Sequence, residues 1–171
     1  MANNAHLFRS DDASELEWSE GIEGDFVSHN NLPFAWLLFF NPEHIVLRPI
    51  RHGNWTWNEI YLAAPWAEAR SLFLERAPHL TTWFQNRIEA ADAAAFLENL
   101  EADQGHFLIL DPQEIIRDQD DKKCASDWKK MLTALQAGIF MPEELSVHGF
   151  SFRDTLNRAD KRWLKTSIFG G

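Results

Sequence analysis

The residue types that do chemistry are all present in this chain, but they are scattered. Seven histidines stand at 6, 29, 44, 52, 79, 106 and 148, without the close pairing that most zinc sites use. Glu43 beside His44 is a formal acid/base pair, and His148 lies near Ser146 and Ser151. Residues adjacent on a chain seldom face a common substrate, so each histidine is expected on the surface or satisfied in the core. Cys124, the single cysteine, follows Lys122 and Lys123, whose charges would depress its pKa. No sequence feature gives it a catalytic partner. Gly-rich phosphate loops, a Gly-x-Ser-x-Gly elbow and a His-Glu-x-x-His pair are all missing. The chain is therefore expected to bind another macromolecule rather than to catalyse, with no cofactor and no metal. An enzyme with a dispersed, motif-less site is the alternative from another class.

Carboxylates are the most crowded polar groups. Asp11, Asp12, Glu15, Glu17, Glu20, Glu23 and Asp25 form one stretch, interrupted by Leu16, Trp18 and Ile22. That alternation suits an edge strand or an extended arm with one buried face. Asp118, Asp120 and Asp121 form a second. Such clusters suit a hard cation such as calcium, but neither carries the spacing of an EF-hand loop. A solvated loop is the expectation for the second. Residues 1–121 carry a net charge of -14 and residues 122–171 one of +4. An acidic body of this kind repels phosphates and favours fast association with a basic partner. It also serves simply to keep a domain soluble.

The elements that must position these groups can be read from periodicity. Ala5–Arg9 reads as a short strand. Leu32 to Phe40 is apolar on every side; Asn30 and Asn31 offer caps, Pro33 fits a first turn, and Asn41-Pro42 ends a short helix buried all round. Ile45 to Arg48 is a strand, expected to stop at Pro49. His52-Gly53-Asn54 makes a turn. Beyond it, Trp55, Trp57, Glu59 and Tyr61 share one face of an extended run. Two readings of that face stay open: rings that fill the core, which is favoured, and an aromatic contact patch. Pro65 opens a helix through Trp66, Ala69, Phe73 and Ala77, and Pro78 stops it. A brief helix follows at 81–87. Asp92 is expected to cap another, ended near Gly105, and His106–Leu110 reads as a buried strand. Ser126 is expected to cap a helix that runs to Gly138. Ser151 opens a last helix bearing Arg153, Arg158, Lys161, Arg162 and Lys165. Those cations are expected to neutralise the acidic body rather than to hold nucleic acid. The resulting expectation is one α+β domain spanning 1–171, with several helices around a small, mainly antiparallel sheet.

The single cysteine cannot close an intrachain disulfide. Met1 to Asp12 has no apolar core of a signal peptide, and Leu32 to Phe40 is about half of a membrane span. A cytoplasmic location is expected, with no membrane partner.

Met1-Ala2-Asn3 followed by His6-Leu7-Phe8, the Leu32-Pro33 entry into a run ending Phe39-Phe40, and Phe107 to Leu110 leading to Glu114 and Ile115 carry a resemblance. They resemble a poorly characterised family of small acidic bacterial cytosolic proteins that open Met-Ala-Asn. Asn4 and Phe8 depart from the Arg and Tyr of that opening. By analogy of class, the resemblance implies an immunity protein that neutralises a cognate, basic toxin or secretion-system effector. An effector-specific chaperone or adaptor is the second reading. The residues expected to meet the partner are Asp11, Asp12, Glu15, Glu17, Glu20, Glu23, Trp55, Trp57, Glu59, Asp118, Asp120 and Asp121.

Overall fold

A computed structural model describes residues 4–14, 26–29, 32–83, 89–112, 116, 120–138, 146–147 and 150–151. Its strands are β1 (Asn4–Ser10), β2 (Phe26–His29), β3 (Ile45–His52), β4 (Trp55–Pro65) and β5 (Phe107–Asp111). Its helices are α1 (Phe34–Leu37), α2 (Trp66–Arg76), α3 (Pro78–Trp83), α4 (Ala90–Ala102) and α5 (Asp121–Gln136). Two short strands, β6 (Ser146–Val147) and β7 (Phe150–Ser151), pair with each other. The main sheet has five strands in the order β2-β1-β5-β4-β3, and each described pairing is antiparallel. The chain is thus α+β.

The sheet is apolar on both faces at its centre. Alternation sends Leu7, Ile60, Leu62, Leu108 and Leu110 into one core with Phe73 of α2, Phe96 of α4 and Trp128 of α5. The opposite face collects Phe8, Tyr61 and Ile109 into a second cluster, flanked by Val46, Ala63 and Phe107. A strand buried on both sides needs a continuous apolar run, which Phe107-Leu108-Ile109-Leu110 supplies. The ring-rich composition is spent here. Phe39 stacks on Phe73 at 4.3 Å, and Phe96 meets Phe26 edge-on at 4.8 Å, geometries that add to plain area burial.

Phe34 apart, whose side chain is not described, the 32–40 run is buried as expected, but only one turn of it is helical. Its backbone closes in i to i−3 bonds, such as Trp36 N to Pro33 O and Phe40 N to Leu37 O, both 3.1 Å. Carbonyls left over in a buried segment need donors. Arg76 supplies them, donating Nη1 to Phe40 O at 2.7 Å and to Leu38 O at 3.3 Å, and Nη2 to Asn41 Oδ1 at 2.5 Å. Burial works to lower the Arg76 pKa, while Glu75 and Glu43 oppose that shift.

Several expected boundaries move. Strand β3 does not stop at Pro49 but runs through it to His52, with Pro49 opposite Asn58. Counting the antiparallel alternation from the two-residue Gly53-Asn54 turn makes that a non-hydrogen-bonded pair. Pro49 therefore removes no ladder bond, and it sits on an edge strand where proline is tolerated. Helix α4 is capped not by Asp92 but by Glu89; Asp92 lies in the first turn and accepts the Glu89 N–H at 2.9 Å. Helix α5 starts before Ser126, because Asp120 caps it through the Lys123 N–H at 2.8 Å. Cys124 counts as apolar, and the buried spacing Cys124, Trp128, Met131, Leu132, Leu135 begins a turn earlier than Ser126 suggests. The third helix, Pro78–Trp83, starts before the expected 81–87, of which residues 84–87 lie outside the described ones. Ser151 lies in β7, and the basic helix expected after it lies outside the described residues.

The end of α4 is locked to β1. Arg9 donates Nη1 to Asp103 O at 2.9 Å and to Leu100 O at 3.3 Å, and Nη2 to Gly105 O. Its guanidinium stands 4.2 Å from the Trp66 ring. Gly105, at φ +135°, passes so close that a Cβ would stand 2.6 Å from Ser10 N. Gly105→Ala is expected to cost about 3 kcal/mol, because strain and a backbone clash coincide. Gly53→Ala, at φ +59° in open space, should cost only about 1 kcal/mol. Urea denaturation of the two variants checks the difference.

Candidate partner-binding surface

Strand β4 is eleven residues long, but β5 pairs only with its Leu62–Pro65 end. The other end pairs with β3 alone, so the β3–β4 hairpin projects as a two-stranded arm. Seven residues beyond the β5 pairing correspond to about 23 Å of extended chain. Residues 51–57 are exposed without interruption. Gly53 supplies the positive φ that a tight hairpin turn requires at its first central position.

Four residues on one face of β4 show how the environment changes along the arm. Tyr61 and Glu59 are buried at 2% exposure each, Trp57 is 41% exposed and Trp55 is 78% exposed. The favoured core placement of the two tryptophans is therefore overturned. Alternation does put them on the face of Tyr61, but that face has left the body by the time it reaches them. Directly across on β3 stand Ile50, opposite Trp57, and His52, opposite Trp55.

Glu59 is corrected in the other direction. It is not a surface acid awaiting a partner, because Arg48 already holds it. Arg48 donates Nε at 2.9 Å and Nη2 at 2.5 Å to Glu59 Oε2. Its Nη1 reaches Ser14 O at 2.6 Å, and its guanidinium lies 5.7 Å from the Tyr61 ring. A buried carboxylate requires such a partner. Arg48 and Glu59 face each other in the β3–β4 register, so this pair fixes the arm at its root.

The other face of the arm is tied to α5. Asp121 Oδ2 accepts both the Asn58 N–H at 3.1 Å and the Asn58 side-chain amide at 2.9 Å. The Asn58 N–H points away from β3, as the pairing alternation requires, and Asp121 occupies the edge where a further strand would bond. The bond from the Asn58 side chain, more than any other cause, holds the Asp121 pKa below the ordinary aspartate range. Asp120 is spent on its cap. The expected solvated loop is thus a helix start with two working carboxylates.

Asp11 and Asp12 are exposed, but they too have local roles. Asp11 meets His106 at 2.7 Å, both largely in water, a pairing of little energetic weight. Asp12 accepts the Ser14 N–H and hydroxyl at 2.8 and 2.7 Å, and that turn lowers its pKa. Glu15, Glu17, Glu20, Glu23 and Asp118 lie outside the described residues. Of the expected contact residues described, only Trp55 and Trp57 form an unspent, exposed pair. Arg48, Ile50, Arg51 and His52 were missed. The signal for them was the register itself, since a two-residue turn at Gly53-Asn54 pairs 48 with 59 and 50 with 57.

The expected chemistry of His44 and Cys124 is rearranged as well. His44 Nδ1 accepts the Asn41 N–H at 2.9 Å, leaving the ring proton on Nε2, which meets Glu68 at 3.2 Å. Glu43 accepts instead from the Asn41 side chain. Cys124 is buried, and its pKa is pushed up to about 11 by burial first and then by Asp127, Asp120 and Asp121. Lys123 opposes that rise and loses. The lysine-activated thiol is overturned. Among the described residues no helix is long and apolar enough to cross a membrane, and no cluster is placed to hold a metal ion.

Compared with known proteins, the chain matches no protein-family model, no curated protein and no solved structure.

Two outcomes follow from these environments. In the native protein at pH 8, Cys124 should react with a disulfide reagent at least about 100-fold more slowly than in urea, since so little thiolate is present. Asp121→Ala should cost about 1 kcal/mol at neutral pH. Because the Asp121 pKa is lowered on folding, its contribution is present above the unfolded value of about 4 and fades as pH falls through the folded value. Urea midpoints taken from neutral to acid pH should therefore fall less steeply in the variant.

Proposed function

We propose that the chain is a bacterial immunity protein, which binds a cognate toxin or secretion-system effector and neutralises it without chemistry of its own. The observation that carries this reading is the arm, with Trp55 and Trp57 exposed on one face of a hairpin rooted by Arg48–Glu59 and Asp121–Asn58. Tryptophan is the residue most often found at the energetic centre of interfaces. A hairpin fixed at its root loses little entropy when it docks, which favours tight association. The net charge of -10 supports long-range capture of a basic partner by the acidic body and keeps nucleic acid away. The arm itself, which carries no Asp or Glu from Ile45 to Asn58, supplies the apolar contact.

The test is direct. Proteins encoded beside this gene are expressed with and without it, and binding is measured for any that arrest growth. One of them should bind with a Kd of about a micromolar or tighter and be silenced in the cell. Trp55→Ala with Trp57→Ala should weaken that binding by about 30-fold or more and abolish rescue, with no change in melting temperature. Absence of any such neighbour, or binding indifferent to both tryptophans, would sink the reading. Loss of the neighbour's export, rather than cell killing, would point to a chaperone.

A further inference from the structure

Counting the alternation from the Gly53-Asn54 turn sorts the arm's side chains by face. Arg48, Ile50 and His52 of β3 share a face with Trp55, Trp57, Glu59 and Tyr61 of β4, whereas Arg51 and Thr56 stand on the opposite one. The exposed Arg51 is therefore turned away from the tryptophans. On their own face Arg48 and Glu59 cancel, and His52 is uncharged in the formal count at pH 7.

The same face gains a carboxylate at its root. The Arg48 bond to Ser14 O carries the Asp12–Ser14 turn to this side of the hairpin. Burial, opposed by Arg48, raises the Tyr61 pKa, and the charges of Glu59 and Asp12 add to that rise. Asp12 thus lies within electrostatic reach of Tyr61. It holds the Ser14 N–H and hydroxyl through Oδ1 alone. Arg48 acts on it only as the last of the causes that set its pKa. Among the described residues no cation forms an ion pair with it.

We propose, building on the immunity reading, that this face takes an arginine or lysine side chain of a basic partner segment, laid against Trp55 and Trp57 with its charge toward Asp12. Indole is the strongest aromatic face for a cation. An apolar partner surface broad enough to reach the arm's root would take Asp12 out of water unpaired. An acidic segment or a phosphate would meet Asp11 and Asp12 as like charges. An arginine or lysine covers apolar surface with its stem and keeps its charged head for the carboxylate.

The probe is acetyl-tetra-arginine amide, with its neutral isostere acetyl-tetracitrulline amide beside it, titrated into the full chain at about 20 mM salt. The indole N–H resonances of Trp55 and Trp57, assigned through Trp55→Phe and Trp57→Phe, should shift on the arginine peptide and not on the citrulline one. Trp55→Ala with Trp57→Ala should weaken binding at least about fivefold. Asp12→Asn, which keeps the turn, should weaken it about threefold. Glu98→Gln removes one exposed charge from α4 and should leave it unchanged. Binding that ignores the arm variants, or falls as much with Glu98→Gln, is diffuse charge attraction and overturns the proposal. Equal binding of the citrulline peptide, or none of the arginine peptide at about 5 mM, overturns it too. A neighbour-encoded toxin silenced through the tryptophans without any arginine preference sinks this inference alone. Arginine binding at the tryptophans with no growth-arresting neighbour leaves the cation surface standing and sinks the immunity reading.

Discussion

Strand β4 pairs with β3 along eight residues and with β5 along four. The two pairings overlap at Leu62 alone, so its inner end, Leu62–Pro65, is bonded to β5 within the body. The outer end is bonded on one side and emerges from the body. Such an extension is stable only if its root is fixed, because an isolated two-stranded ribbon is marginal in water. Two polar contacts fix it, one on each face of the hairpin: Arg48 with Glu59, and Asp121 with Asn58. Both close positions that would otherwise cost free energy, a buried carboxylate in one case and an open backbone donor in the other. The tryptophans beyond them are therefore presented on a stiff support.

The same accounting explains the polar residues inside the core. The Leu32–Phe40 run is too apolar to leave the interior and too short in helix to satisfy its own backbone. Arg76 answers both demands with a planar group that donates to two carbonyls and the Asn41 amide at once. A lysine there would lack the fork geometry. Arg9 repeats the solution at the end of α4, where three carbonyls converge on one guanidinium. Cations at the C-terminal end of a helix also complement its dipole.

Much of the fold was legible residue by residue. Alternation marked β1 and the start of β4, the continuous run marked β5, and Pro65 and Pro78 bracketed α2. The errors share a cause. Pro49, Asp92 and Ser126 were given local meanings, as stop or cap, that each residue type commonly has. At each place a neighbour supplied the cap, or the pairing phase made the local signal harmless. The candidate surface was half legible. The side-chain period put Trp55 and Trp57 together with Glu59 and Tyr61, correctly, as one face. It carried no information on where along that face the body ends.

The sequence by itself determined the α+β class, the buried apolar strand β5, a turn around Gly53 and the acidic balance, because these depend on local periodicity and composition. Only the tertiary structure decided which aromatics are core and which are surface, since burial depends on how far each neighbouring strand extends. It also decided which carboxylates are spent. Glu59, Asp120 and Asp121 look alike along the chain, yet one is buried against an arginine, one caps a helix and one holds a strand edge. Long-range register sets those partners, and no single residue records it.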